Sequence, residues 1–239
     1  MASTSRSSST SDDVYFGDFF KEWLVTLQSD LEQLNFLSSQ VHLEVELENI
    51  VGRVVSHYQH YYETKSRATR ENVLLLLSSP WLSTYERSLL WISGFRPGVS
   101  FRLVETLLGG ELSSDQVQKI KRLKAETSAQ EKALSNEMAR IQESVAGPSW
   151  MEICNRMDTQ VVCNGDVDQV IGKIKGELTD LAINADNLRA TTGRKLINIL
   201  SPVHATKVLA ATARLQLRVN AWGVMKDADR MARMASSSV

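Results

Sequence analysis

Two histidines and a glutamate at helical spacing, His57-x-x-His60-x-x-Glu63, come nearest to a cation site in this 239-residue sequence. Residues three apart adjoin on one helix face, so two imidazoles there could share an ion, as a zinc site requires. Zinc also needs a third strong ligand, and none stands nearby. The trio reads as ordinary helix-face side chains, and no metal is expected. Cys154 and Cys163 have no histidine between them. They read as free thiols in a reducing compartment, not as a disulfide framework or a zinc cluster. Phosphate-cradling glycine loops, nucleophile elbows, His-Glu-x-x-His and Cys-x-x-Cys are absent, and neither His42 nor His204 stands by a candidate nucleophile. These residue types point to binding rather than catalysis, so the chain is expected not to be an enzyme.

Charge narrows the partners. The 27 basic and 28 acidic residues nearly cancel, which leaves no global field to hold the chain on DNA, RNA or an anionic membrane. Lys65, Arg67 and Arg70 make a short basic cluster, but Glu63 and Glu71 flank it at helical spacing and predict a solvated face of intrahelical pairs. No dense basic helix precedes leucine heptads, so direct nucleic-acid binding by the chain alone is not expected. The longest window without charge, residues 72–85, is 14 residues long and too polar to span a bilayer, and the Ser/Thr-rich start lacks the apolar core of a secretory signal. Residence in the nucleus and/or the cytoplasm is expected.

The elements that position these residues are helices. Phe16, Phe20, Trp23, Leu27, Leu31 and Leu34 recur at spacings of four and three, with Ser11 as cap and Asp12 and Asp13 in the first turn. A second stripe, Leu43, Leu47, Ile50, Val54, Tyr58 and Tyr61, starts near Val41 and runs toward Leu77, about 50 Å of helix if continuous. Ser83-x-x-Glu86 and Ser113-x-x-Gln116 match capping boxes. The first opens a short helix that Gly94 ends. The second leads into a charge-laced arm through Val145, of the kind that pairs within or between chains, so a homodimer is one expected state. Gly147-Pro148 stops the arm, and Asn164-Gly165-Asp166 marks a turn. Helix resumes through Val170, Leu181 and Ile199 despite Gly193, and Ser201-Pro202 starts the last one.

Pro80, Gly94, Pro97 and Gly98 all fall in residues 78–104, with Trp81, Trp91 and paired arginines set among them. Such a stretch is a corner where long helices turn back, with the tryptophans as anchors. The predicted fold is all-α, a bundle of long antiparallel helices with short helices at this corner, about residues 78–108. The expected organisation is a disordered tail over 1–12, one helical domain over 13–226, and a helical to frayed end over 227–239.

Several motifs resemble, in order and spacing, the plant delay-of-germination domain family, a domain shared with the C-terminal half of TGA-class basic-leucine-zipper factors. Residues 61–70 from Tyr61-Tyr62 to Arg70, Pro80-Trp81, Glu86-Arg87-Ser-Leu-Leu-Trp91-Ile-Ser-Gly94-Phe-Arg96-Pro97 and Phe101-Arg102-Leu103 are similar to its central signature. Ala185-Asp186-Asn187-Leu188-Arg189, Ile199-Leu200-Ser201-Pro202-Val203 and Ala221-Trp222-Gly223 are similar to its C-terminal ones. The resemblance implies a regulator of seed dormancy, germination or abscisic acid signalling that acts through protein partners. It implies partner binding to class-A type-2C protein phosphatases through Asp18, Phe20, Glu22 and Trp23, with Phe20 where the family segment has Tyr and Lys21 where it has an apolar residue. The alternative it implies is a transcription-associated regulator that reaches promoters through DNA-bound transcription factors; a sensor of a small apolar ligand is a further alternative. Gln216 and Asn220 stand where the haem-binding member has histidines, so no haem or other cofactor is expected.

Overall fold

Each apolar stripe becomes a helix. The computed structural model describes residues 9–38, 44–148, 150–152 and 164–236. The long helices are α1 (Ser9–Ser38), α2 (Glu44–Glu71), α6 (Ser114–Ser144), α7 (Asn164–Ile199) and α8 (Pro202–Ser236). Between α2 and α6 lie the short α3 (Val73–Ser78), α4 (Thr84–Ser88) and α5 (Gly98–Leu108). The fold is all-α: among the described residues the extended pairing is one isolated bridge, Trp91 to Gly94.

α1 packs on α2 and α8, α2 also meets α7 and α8, and α6 lies along α7. Contacts between Gln116 and Ile199 and between Thr127 and Thr192 run in opposite chain directions, which makes α6 and α7 antiparallel. The stripe residues Phe20, Trp23, Leu27, Leu31 and Leu34 join Ile50, Val54, Phe101, Val104 and Val208 in the main core. A smaller cluster of Ile92, Ile141, Leu181 and Ala185 ties the corner to α6 and α7.

Both capping boxes form as the spacing predicts. Four boundaries differ. α2 does not run on to Leu77, because the Asn72 side chain accepts from the Leu75 N–H and starts α3 as a new helix. α4 ends at Ser88, well before Gly94, which instead closes a tight turn. α7 already starts at Asn164, where a turn is predicted, and α1 starts at Ser9, inside the stretch read as tail. His42, Cys154 and Cys163 lie outside the described residues.

Gly193 sits inside α7, and a Cβ built on it meets nothing within 4 Å. Gly193→Ala then gains helix propensity at no steric cost, about 0.5–1 kcal/mol. Differential scanning calorimetry is expected to show Tm raised by about 1–4 °C.

Candidate functional site

The corner is held by two cations. Trp91 and Gly94 exchange backbone hydrogen bonds of 2.7 and 3.3 Å around Ile92 and Ser93, whose φ values are 45° and 56°. Two successive left-handed residues make the tight turn that Asn-Gly usually supplies, and a β-branched residue there is strained. What holds it is Arg189 of α7. Its guanidinium donates to the carbonyl oxygens of Trp91, Ile92 and Phe95, and its centre lies 5.3 Å from the Trp91 ring centroid. Lys65 of α2 donates to the Ser93 oxygen at 2.6 Å. Both cations meet one carboxylate oxygen, Asp186 Oδ1, at 3.0 Å from Lys65 and 2.6 Å from Arg189. All three side chains are buried. Burial pushes the Lys65 ammonium down to about 8, against the pull of Asp186 and helped by Arg189. Gly94 lies so close to Arg189 that a Cβ would come within 2.8 Å of the guanidinium carbon.

A second joint sits where α8 crosses α4. Glu86 closes the capping box on Ser83 and also accepts from the Asn220 amide at 3.1 and 3.3 Å. Gly223, one turn on, lies against Ser83, and a Cβ there would fall 1.9 Å from Ser83 Oγ. Asp227 accepts from the Thr84 N–H at 2.9 Å, and this backbone hydrogen bond holds its carboxyl below the usual range. Glu131 of α6 plays a like part for α5, accepting from the Gly98 N–H at 2.8 Å where Pro97 offers no cap.

The residues expected to bind a partner divide between surface and core. Asp18 and Glu22 are exposed, and Asp18 pairs with Lys21 at 2.9 Å. Phe20 and Trp23 are buried, 4% and 2% exposed, Trp23 with its ring centroid 4.6 Å from that of Tyr61. Both aromatics belong to the stripe that α1 turns toward α2, so the four residues do not share one accessible face. His57 is half-buried and bonds Asp30 at 2.9 Å; burial holds its imidazole below the ordinary value, with Asp30 opposing. His60 faces the Phe19 ring and Glu63 accepts from Gln59, so the trio has separate neighbours. Among the described residues no group of three His, Cys, Asp or Glu side chains is arranged to hold a metal ion.

Residues 28–106 match the family model described as seed dormancy control, DOG1. Over 223 residues the chain is 32% identical to Protein ZW2 of Arabidopsis thaliana, covering 90% of this chain and 99% of that protein. The chain belongs to the seed dormancy control family. It is also 31% identical to Protein RESPONSE TO ABA AND SALT 1 of Arabidopsis thaliana, covering 88% of this chain and 95% of that protein. With transcription factor TGA2.3 of Oryza sativa subsp. japonica it shares 30% identity over 85% of this chain, which spans 63% of that longer factor.

The motifs that carry the resemblance meet one another in the structure. The stretch with Lys65, the turn Trp91-Ile92-Ser93-Gly94 and the run ending Asp186-Asn187-Leu188-Arg189 form one polar knot, while Gly223 lies against Ser83 and Glu86. Lys65 was the residue that sequence reasoning misplaced, as part of a solvated basic face. It is 2% exposed, whereas Arg67 and Arg70 stay exposed beside Thr64 and Ser66. Its signal was present: Lys65 follows Val54, Tyr58 and Tyr61 at the next stripe spacing of four. Gln216 and Asn220 do not suit haem iron, since an amide is a poor axial ligand and Asn220 is committed to Glu86.

Proposed function

We propose that the protein is a non-enzymatic regulator of seed dormancy, germination or abscisic acid signalling that works through protein partners, class-A type-2C phosphatases among them. The observation that carries the reading is the near full-length likeness to ZW2 and RESPONSE TO ABA AND SALT 1, together with signature residues consumed in internal joints. With these polar groups committed to joints between its own helices, the protein is left to act through its exposed surface. On α1 that surface carries Asp18, Lys21, Glu22 and Val25. Phe20 and Trp23 support it from beneath, and fix the helix that displays it. Residence in the nucleus or cytoplasm follows from the same reading; among the described residues no helix is long and apolar enough to cross a membrane.

The test is capture of purified class-A type-2C phosphatases by wild type and by the charge reversal Asp18→Lys/Glu22→Lys. Both positions are exposed, so the variant keeps its helical circular dichroism. Capture is expected to fall about tenfold or more, as for loss of charged contacts at an interface. Undiminished capture by the folded variant rules out the α1 surface. A second reading, recruitment to promoters by DNA-bound transcription factors, is favoured by the likeness to TGA2.3. Capture of such factors with no phosphatase would select it.

A further inference from the structure

A cavity of about 130 Å³ lies between α2, α7 and α8, with Gly193 of α7 at its edge. Val55, Tyr62 and Thr212 line it half-buried, so its wall is reachable from outside, while Leu196, Ile197 and Val208 are buried and close it from within. A Cβ built on Gly193 meets nothing within 4 Å. The missing side chain leaves a gap in the helix, at a position where glycine costs about 1 kcal/mol against alanine. A cavity of roughly 150 Å³ with apolar walls holds one benzene ring, so this one fits a single leucine-sized or phenyl-sized group.

From the cavity a groove continues between α2 and α7. Gln59, Tyr62, Ala190 and Arg194 border both, and Arg67 and Arg70 lie on the groove beyond them. The two helices run antiparallel here: Lys65 meets Asp186, while the earlier Val55 lines the cavity with the later Ile197. Arg67 and Arg70, spaced as neighbours on one helix face, project side by side. Their partners are neutral, the Thr64 hydroxyl at 3.2 Å for Arg67 and two Ser66 oxygens at 3.0 and 3.3 Å for Arg70. Arg194 is exposed and, like them, makes no ion pair among the described residues. The carboxylates on the groove are engaged elsewhere, Glu63 with Gln59 and Asp186 with Lys65 and Arg189. Three exposed guanidiniums against the exposed Glu63 leave a surplus of about two positive charges, which a single phosphate group of about −1.5 to −2 balances. Guanidinium forks also match phosphate oxygens in geometry.

The spacing sets a register. Along α2 the cavity and the Arg67 and Arg70 pair lie about 10–15 Å apart, given a rise of about 1.5 Å per residue and side chains that lean toward the helix start. An extended peptide covers that distance in about three to five residues. We propose that this groove docks an extended segment of a partner protein, with an apolar side chain seated in the cavity beside Gly193 and a phosphorylated serine or threonine about four residues away held by Arg67 and Arg70. Arg194 lies along the chain between them. The groove shares no residue with the α1 surface and its test uses no phosphatase, so the two readings stand or fall separately.

Fluorescence anisotropy of the full chain with labelled, capped peptides tests this. The probe carries leucine and phosphoserine four positions apart in an alanine and glycine background. Removing the phosphate weakens binding at least about tenfold, and replacing the leucine by glycine, or placing the two residues next to each other, weakens it about tenfold. Arg67→Gln/Arg70→Gln changes two exposed side chains, so it keeps the helical circular dichroism, and it binds the phosphorylated and unphosphorylated peptides alike. Gly193→Leu fills the cavity mouth and brings affinity for the probe down to that of the peptide without leucine, while Tm does not fall. The proposal is overturned if the probe does not bind, or if either variant binds it as wild type does. Equal affinity for a peptide with glutamate in place of phosphoserine makes the occupant an unphosphorylated acidic segment and overturns it. Inorganic phosphate that competes at the peptide's own concentration overturns it too, since the arginines would then hold an anion without a docking groove.

Discussion

Asp186→Ala is expected to cost about 3–5 kcal/mol, since it leaves two buried cations facing each other without a counter-charge. In a chain of this length that lowers Tm by on the order of 10 °C, readable by thermal circular dichroism. The loss is larger than a surface ion pair explains, because Lys65, Asp186 and Arg189 are all buried and Asp186 Oδ1 is the shared acceptor. The strained turn fails with it: Arg189 would turn from the carbonyls of Trp91 and Ile92 to find solvent, and Ile92 at φ 45° has no local reason to stay. Lys65→Met is the informative contrast. It removes the surplus cation and leaves the Asp186–Arg189 pair intact, so its cost is about 1 kcal/mol or less, chiefly the orphaned Ser93 oxygen. Equal losses in the two variants would mean that packing, not charge balance, governs the joint.

The same asymmetry sets a pH dependence. Lys65 titrates at about 8 in the folded chain and at its ordinary 10.5 in the unfolded one. Between those values the unfolded state holds more protons, so stability rises with pH through that window as far as this residue is concerned. The tyrosines oppose it from higher pH. Burial raises Tyr62 to about 12 and raises Tyr58 and Tyr61 further, so above about 10 the folded state keeps protons that the unfolded state gives up, and stability falls. Urea titrations from about pH 7 to about pH 10 should show the rising limb in wild type and its absence in Lys65→Met.

Helix identity, the capping boxes and the corner were legible because they follow from local periodicity and turn chemistry. The joints were legible only as motifs. Nothing local tells that Arg189 reaches carbonyls nearly a hundred positions earlier in the chain, or that Asn220 reaches Glu86, since such pairings are made by tertiary packing. Lys65 shows the limit from the other side. A cation on an apolar stripe signals burial, yet Glu63 and Glu71 at helical spacing offered a local explanation for the charge. Trp23 is similar: its place in a stripe marked it as core, and its place in a binding-like segment marked it as contact, and burial at 2% exposure places the side chain in the core.

Gly223→Ala is expected to destabilise by about 2–3 kcal/mol, although glycine to alanine inside a helix ordinarily stabilises. The new Cβ would lie 1.9 Å from Ser83 Oγ and 2.7 Å from Ser83 Cβ. The hydroxyl can rotate away, but Ser83 Cβ is fixed by the backbone that caps α4, so α8 must withdraw from α4. Withdrawal stretches the Asn220 to Glu86 bonds of 3.1 and 3.3 Å and the Thr84 to Asp227 bond of 2.9 Å. Tm should fall by about 5–10 °C, whereas Gly193→Ala, with open space beyond its Cβ, should raise it. Ser83→Gly supplies the rescue. It removes both clashing atoms and costs only a few tenths of a kcal/mol as a helix cap, so the double variant should recover more than about 1 kcal/mol relative to additivity. A double-mutant cycle by urea unfolding measures that coupling, and additive losses would mean that the glycine serves something other than the close crossing of α8 over α4.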